Sequence, residues 1–95
     1  MEDNPERNII ALLLRYPDET LNESSDLISA GMFEDSLHRN IWEVVETNLG
    51  EGKPVSIRVL RKDPKLASRV EDLRGLASEA ITVAHLGYHI AEMMD

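Results

Sequence analysis

"HRNIWEVVETNLGEGKPVS", residues 38–56, decides the fold. Its first half keeps a helical period, with Ile41, Val44 and Val45 spaced around the chain's only tryptophan, Trp42. Its second half places Gly50, Gly52 and Pro54 within five residues. Glycine tolerates the positive φ of a turn, and proline has no N–H with which to continue a helix. Ser56 then offers a side-chain oxygen that can cap a new helix at once. A strong amphipathic helix cut short and restarted behind a serine is the punctuation of tightly connected helices.

Working outward, the apolar stripe of this helix extends upstream through Phe33 and Leu37 and downstream to Leu49. Asn4 followed by Pro5 predicts an earlier helix start, since the asparagine can cap and the proline loses nothing in a first turn. Ile9, Leu12, Leu13 and Tyr16 share one face of that helix; Ile10 and Leu14 widen it, and Pro17 ends it. Asp18 and Glu19 suit the N-terminus of a second helix, with Leu21, Leu27 and Ile28 on its buried side and Gly31 as its stop. Downstream, Ser56 caps "IRVLRKD", which Pro64 closes, and Gly50 and Gly52 both supply positive φ in the turn before it.

The last third divides by register. Leu66, Val70, Leu73 and Ala77 keep one helical phase; Val83, Leu86, Ile90 and Met93 keep another, with a break near Thr82 and Val83. Gly75 inside the first of these costs about 1 kcal/mol relative to alanine. No segment shows sustained strand alternation. The expectation is an all-α protein: a single compact orthogonal bundle of five to six short helices over residues 1–95. Ile9, Leu13, Phe33, Leu37, His38, Ile41, Trp42 and Val45 are its expected core.

Composition narrows the function. A chain of 95 residues buries only about 60–68% of its unfolded surface, which leaves little room for an enclosed active site. It has no cysteine, hence neither a disulfide framework nor a thiolate site. The longest apolar run, "IIALLL" at 9–14, is far shorter than a bilayer span, and no secretory signal precedes it. A cytoplasmic protein is expected. Net charge is −8, unevenly spread: −9 over residues 1–51, +4 over 53–74 and −3 over 75–95. Such an acidic chain repels phosphate backbones, so direct nucleic-acid binding is not expected.

Motifs for chemistry are sparse. Neither glycine-rich phosphate loop is present, and "GEGKPVS" fails as one because Pro54 follows the lysine. His85 and His89 lie four apart on one helix face with Glu92 a turn on, but the glutamate of H-E-x-x-H is missing and no third histidine is spaced to complete a zinc site. His38, one turn from Trp42, reads as a packed or capping histidine rather than a general base. Glu34/Asp35, Glu43/Glu46 and Glu71/Asp72 read as an acidic helical surface. No catalytic residue, metal site or cofactor site is assigned.

With the helices laid out, the chain resembles the N-terminal domain of bacterial and phage DnaB-type replicative DNA helicases. The resemblance rests on Glu6, Ile9, Ile10, Ala11, Leu14 and Pro17; on Phe33, His38, Ile41 and Trp42; on Gly52, Lys53, Pro54, Val55 and Ser56; and on Leu73, Leu76, Ala77, Thr82, Ala84 and Tyr88. It covers nearly the whole chain in order. It departs at Ile81, where the family usually carries proline, and in lacking the glycine pair before the Leu-x-x-Leu-Ala segment.

The resemblance implies a non-catalytic interaction domain that supports hexamer assembly and receives primase. ATP and Mg would belong only to an ATPase domain outside these residues, and about 83–95 would begin a helical hairpin. In the family that hairpin makes subunit contacts and much of the primase contact. Tyr88 lies off the apolar stripe of the last helix and Met94 lies at its end, so these two are the expected contact residues. A weak homodimer or a monomer is expected. The helicase-binding C-terminal domain of bacterial primases is similar in fold and is the alternative, beside a small acidic helical adaptor unrelated to replication.

Overall fold

The computed structural model describes residues 4–24, 26–80 and 86–94, and every regular element in them is helical. In order these are α1 (Pro5–Arg15), α2 (Pro17–Ser24), α3 (Ser36–Gly50), α4 (Ile57–Leu60), α5 (Val70–Glu79) and α6 (Leu86–Met94). Short 3-10 turns, Ala30–Met32 and Ala67–Arg69, lead towards α3 and α5. The radius of gyration, 12.1 Å, is close to the ~12 Å expected of a globular chain this long.

α1 is the central element, packing against α2, α3, α5 and α6. It starts where Asn4 accepts the Arg7 N–H at 3.1 Å, with Pro5 in the first turn. Six consecutive residues, Ile9 to Leu14, are buried, which is what a helix covered on several sides requires. Arg7 clamps α1 to α5 through paired hydrogen bonds from its guanidinium to Glu79.

Several boundaries differ from the sequence reading. α2 ends at Ser24, well before Gly31. Ser24 turns its hydroxyl back onto the Thr20 carbonyl, and the Ser24 carbonyl takes the N–H groups of both Leu27 and Ile28. Serine and aspartate compete with the helix ladder in this way, which outweighs the apolar pattern beyond them. Ile28 is buried as expected, but Leu27 is 47% exposed, and Gly31 lies inside the 3-10 turn without positive φ.

α3 begins at Ser36 behind an Asp35 cap, so Phe33 packs from the preceding turn rather than from the helix. Leu49 projects outward at 44% exposure. Of the two turn glycines only Gly52 has positive φ, +75°; Gly50 stays helical. Ser56 caps α4, accepting the Val59 N–H at 3.3 Å. That helix closes at Leu60, short of Pro64: the Lys62 and Asp63 N–H groups turn to the carbonyls three residues back, of Val59 and Leu60, and Asp63 then makes a turn of its own by accepting the Lys65 N–H.

Ile9, Leu13, Phe33, Leu37, His38, Ile41, Trp42 and Val45 are all buried. The Phe33 and Trp42 rings meet at 5.4 Å between centroids, tilted by 37°. Leu60, Leu73, Leu76, Leu86 and Ile90 of the later helices, with Leu66 from the connection before α5, complete the same core. Ile81, Thr82, Val83, Ala84 and His85, and with them the expected break and half of the histidine pair, lie outside the described residues.

Candidate interaction surface

The most constrained polar group in the molecule is a scaffold for the surface. Glu6, on the first turn of α1, spans to the start of α3: its carboxylate accepts the Glu34 N–H at 2.6 Å and the Asp35 N–H at 3.1 Å. The same carboxylate lies 2.6 Å from His38 Nδ1. Both oxygens already accept backbone protons, so Nδ1 supplies the proton of that third bond. Asp35 in turn accepts the N–H groups of Leu37 and His38. Burial pushes the Asp35 carboxyl up, but those donors outweigh it and hold the group below its ordinary value. Arg39 adds two hydrogen bonds to the Phe33 carbonyl.

The sequence reading treated His38 as packed or capping without finding its partner. Glu6 and His38 are 32 positions apart, and a buried carboxylate needs such a partner. With side chains only 12% and 5% exposed, the pair is closed to any substrate. It fixes the angle at which α3 leaves the chain.

α6 is held differently. Leu86 and Ile90 are buried against the core and Met93 is partly buried, packed on the same cluster. The opposite side is open: Tyr88 is 59% and Met94 54% exposed. At 100° per residue, Gly87, Ala91 and Met94 fall within a sector of roughly 60°, with Tyr88 about 60° beyond its edge. All four are exposed. Tyr88 and Met94 therefore do not form one stripe by themselves; Gly87 and Ala91 join them, two small residues that the sequence reading passed over. The Tyr88 ring meets His89 edge-on at 5.7 Å. Such a face admits a close-packed helix and offers no group for bond-making.

A second exposed apolar spot went unforeseen because Leu49 read as core, whereas Leu21, expected on the buried side of α2, is partly buried against the core. Leu49, at the end of α3, and Leu21 line a shallow depression with Asp18, Glu19 and Asn22 of α2. Among the described residues no three His, Cys, Asp or Glu side chains converge as a metal site would need, and no helix is long and apolar enough to cross a membrane.

The family model "DnaB-like helicase N terminal domain" matches residues 2–95. No curated protein and no solved structure matches the chain. The chain belongs to the DnaB-like helicase N-terminal domain family.

Proposed function

From membership of that family, we propose that this chain is a non-catalytic interaction domain of a replicative DNA helicase, supporting hexamer assembly and primase recruitment. One observation carries the proposal within this chain. α6 anchors one side in the core and leaves Gly87, Tyr88, Ala91 and Met94 open on the other. Exposed apolar surface, where it is contiguous, is a feature of contact sites. On this reading the contact residues are Tyr88 and Met94, the partners are neighbouring helicase subunits and primase, and the setting is the cytoplasm. ATP and Mg act on an ATPase domain rather than on these helices. The primase C-terminal domain, the alternative from sequence, is the weaker reading because the match is to the helicase domain.

The test is sedimentation of the protein beside a primase pull-down, with and without Met94→Glu. A charge at the exposed end of α6 should reduce both self-association and primase capture while leaving the fold intact. If neither changes, α6 is not the contact surface. A zinc titration addresses the opposing enzyme reading: stoichiometric binding abolished by His85→Ala would replace this proposal with a metal-dependent one.

A further inference from the structure

Between the end of α3 and the turns that flank α4 lies a depression of about 460 Å³, lined by Asn48, Lys53, Pro54, Val59, Lys62 and Pro64. Asn48 is only 8% exposed. Its backbone carbonyl takes the N–H groups of Glu51 and Lys53, but its side-chain amide has no hydrogen-bond partner among the described residues. The amide still reaches solvent, so a ligand that offers both an acceptor and a donor can take the place of water there.

The surrounding charge is only partly compensated. Among the described residues, Arg7, Lys53, Lys65, Arg69 and Arg74 each have a carboxylate partner. Arg58, Arg61 and Lys62 have none, although the chain carries 18 acidic residues. Arg58 lies within α4 and Lys62 just beyond its end. Lys53 has only the exposed Glu51 to exchange away. Asp63 also lines the depression, but its Oδ1 is engaged by the Lys65 N–H.

We propose that this depression binds an extended acidic peptide segment of a partner protein. Along an extended segment the N–H and C=O of one residue point to the same side, and together they can pair with the Asn48 carboxamide. Pro54, Val59 and Pro64 form an apolar wall for one side chain of the segment, and flanking carboxylates meet Lys62, Lys53 and Arg58. A nucleic-acid strand fits less well. The lining has no aromatic ring on which a base could stack, and a chain of net charge −8 repels a continuous phosphate backbone at long range. A short acidic segment brings few charges and brings them to this basic face. This surface is separate from α6, so its failure would leave the helicase-domain reading untouched.

The experiment is fluorescence anisotropy on the full chain with a fluorescein-labelled peptide rich in Asp and Leu. Its Asp→Lys counterpart and a labelled oligothymidylate serve as comparisons. The acidic peptide should bind saturably, weaken with salt, and shift the Asn48 side-chain NH₂ resonances. The exposed double variant Lys53→Glu/Lys62→Glu should lose about tenfold or more in affinity, as should Asn48→Leu. A melting curve establishes that each variant is folded, and the exposed double variant decides the matter if Asn48→Leu does not fold. Absence of saturable binding, or binding unchanged in the folded double variant, would overturn the proposal. Tighter binding of the oligothymidylate would replace it with a nucleic-acid surface.

Discussion

α1 and α6 are neighbours in the core, yet they are held in opposite ways. α1 carries a side-chain cap, a first-turn proline and a run of six buried residues, and three elements besides α6 pack on it. α6 buries Leu86 and Ile90 and shows solvent an apolar side. A helix enclosed by others contributes stability. A helix packed on one face can contribute stability and still keep a surface for a partner. If that division is real, substitutions around α1 and α3 should be read in melting temperature, and those on the open side of α6 in association.

The largest effect should come from the enclosed region. Trp42→Ala removes a ring that is 1% exposed and should cost about 3–5 kcal/mol, a large share of the stability of so small a domain. Trp42→Phe should cost much less, because the indole N–H has no acceptor among the described residues and its loss leaves nothing newly unpaired. Urea unfolding followed by far-UV circular dichroism measures both. Equal losses for the two variants would show that the indole N–H is satisfied after all.

Next in size is Glu6→Ala, which strips His38 and two backbone N–H groups of one acceptor. The cost should be near the low end for a broken buried pair, about 3 kcal/mol, since Glu34 and Asp35 are exposed enough for water to replace part of the loss. The corresponding loss for His38→Ala should be smaller, because Glu6 then keeps both backbone donors. The reverse order would mean that the histidine, not the carboxylate, organises the start of α3.

What could be read in the sequence follows the same divide. The helical class, the cap at Asn4, the stops at Pro17 and Gly52 and the restart at Ser56 are local signals, and each acts within a few residues. Leu27 and Leu49 were misplaced because periodicity reports which side a residue takes, not whether a neighbour arrives to cover it. The Glu6–His38 pair was invisible because its members meet only through the packing of α1 on α3, although both belong to the residues that carry the family resemblance. On the surface, Tyr88 and Met94 were legible as off-stripe or terminal, while Gly87 and Ala91 carried no apolar weight to draw notice. The basic depression was hidden differently: its unpaired asparagine looks ordinary until its burial is known.

A smaller effect appears with acid. The Arg7 hydrogen bonds hold the Glu79 carboxyl below its ordinary value against the opposing effect of burial, with the charges of Arg7 and His38 adding to it. A carboxyl depressed in the fold contributes stability that is present above its unfolded pKa, about 4.3, and lost as pH falls through the lower folded value. The clamp between α1 and α5 should therefore weaken below about pH 4.5. Glu79→Gln should start from a slightly lower melting temperature at neutral pH and fall less between about pH 5 and 3. Both partners are more than 40% exposed, so the change should be modest and shrink with added salt. Parallel acid limbs for the two proteins would show the clamp to be fully screened.

The smallest effect tests whether α6 belongs thermodynamically to the rest. Gly87 is exposed, a Cβ there would meet nothing within 4 Å, and its φ is not positive. Alanine suits that conformation and restricts the unfolded chain, so Gly87→Ala should stabilise by about 0.4–1 kcal/mol. Where that gain appears is the informative part. If α6 unfolds together with α1, the melting temperature of the whole protein rises. If α6 opens separately, amide exchange slows along Leu86–Met94 while the global transition stays put. The burial of Leu86 and Ile90 in the common core favours the first outcome. A shift confined to α6 would mean that this helix is poised apart from its bundle. Gly87→Ala should then also tighten partner binding by pre-ordering the contact face, unless the added methyl blocks the close approach that Gly87 and Ala91 leave open.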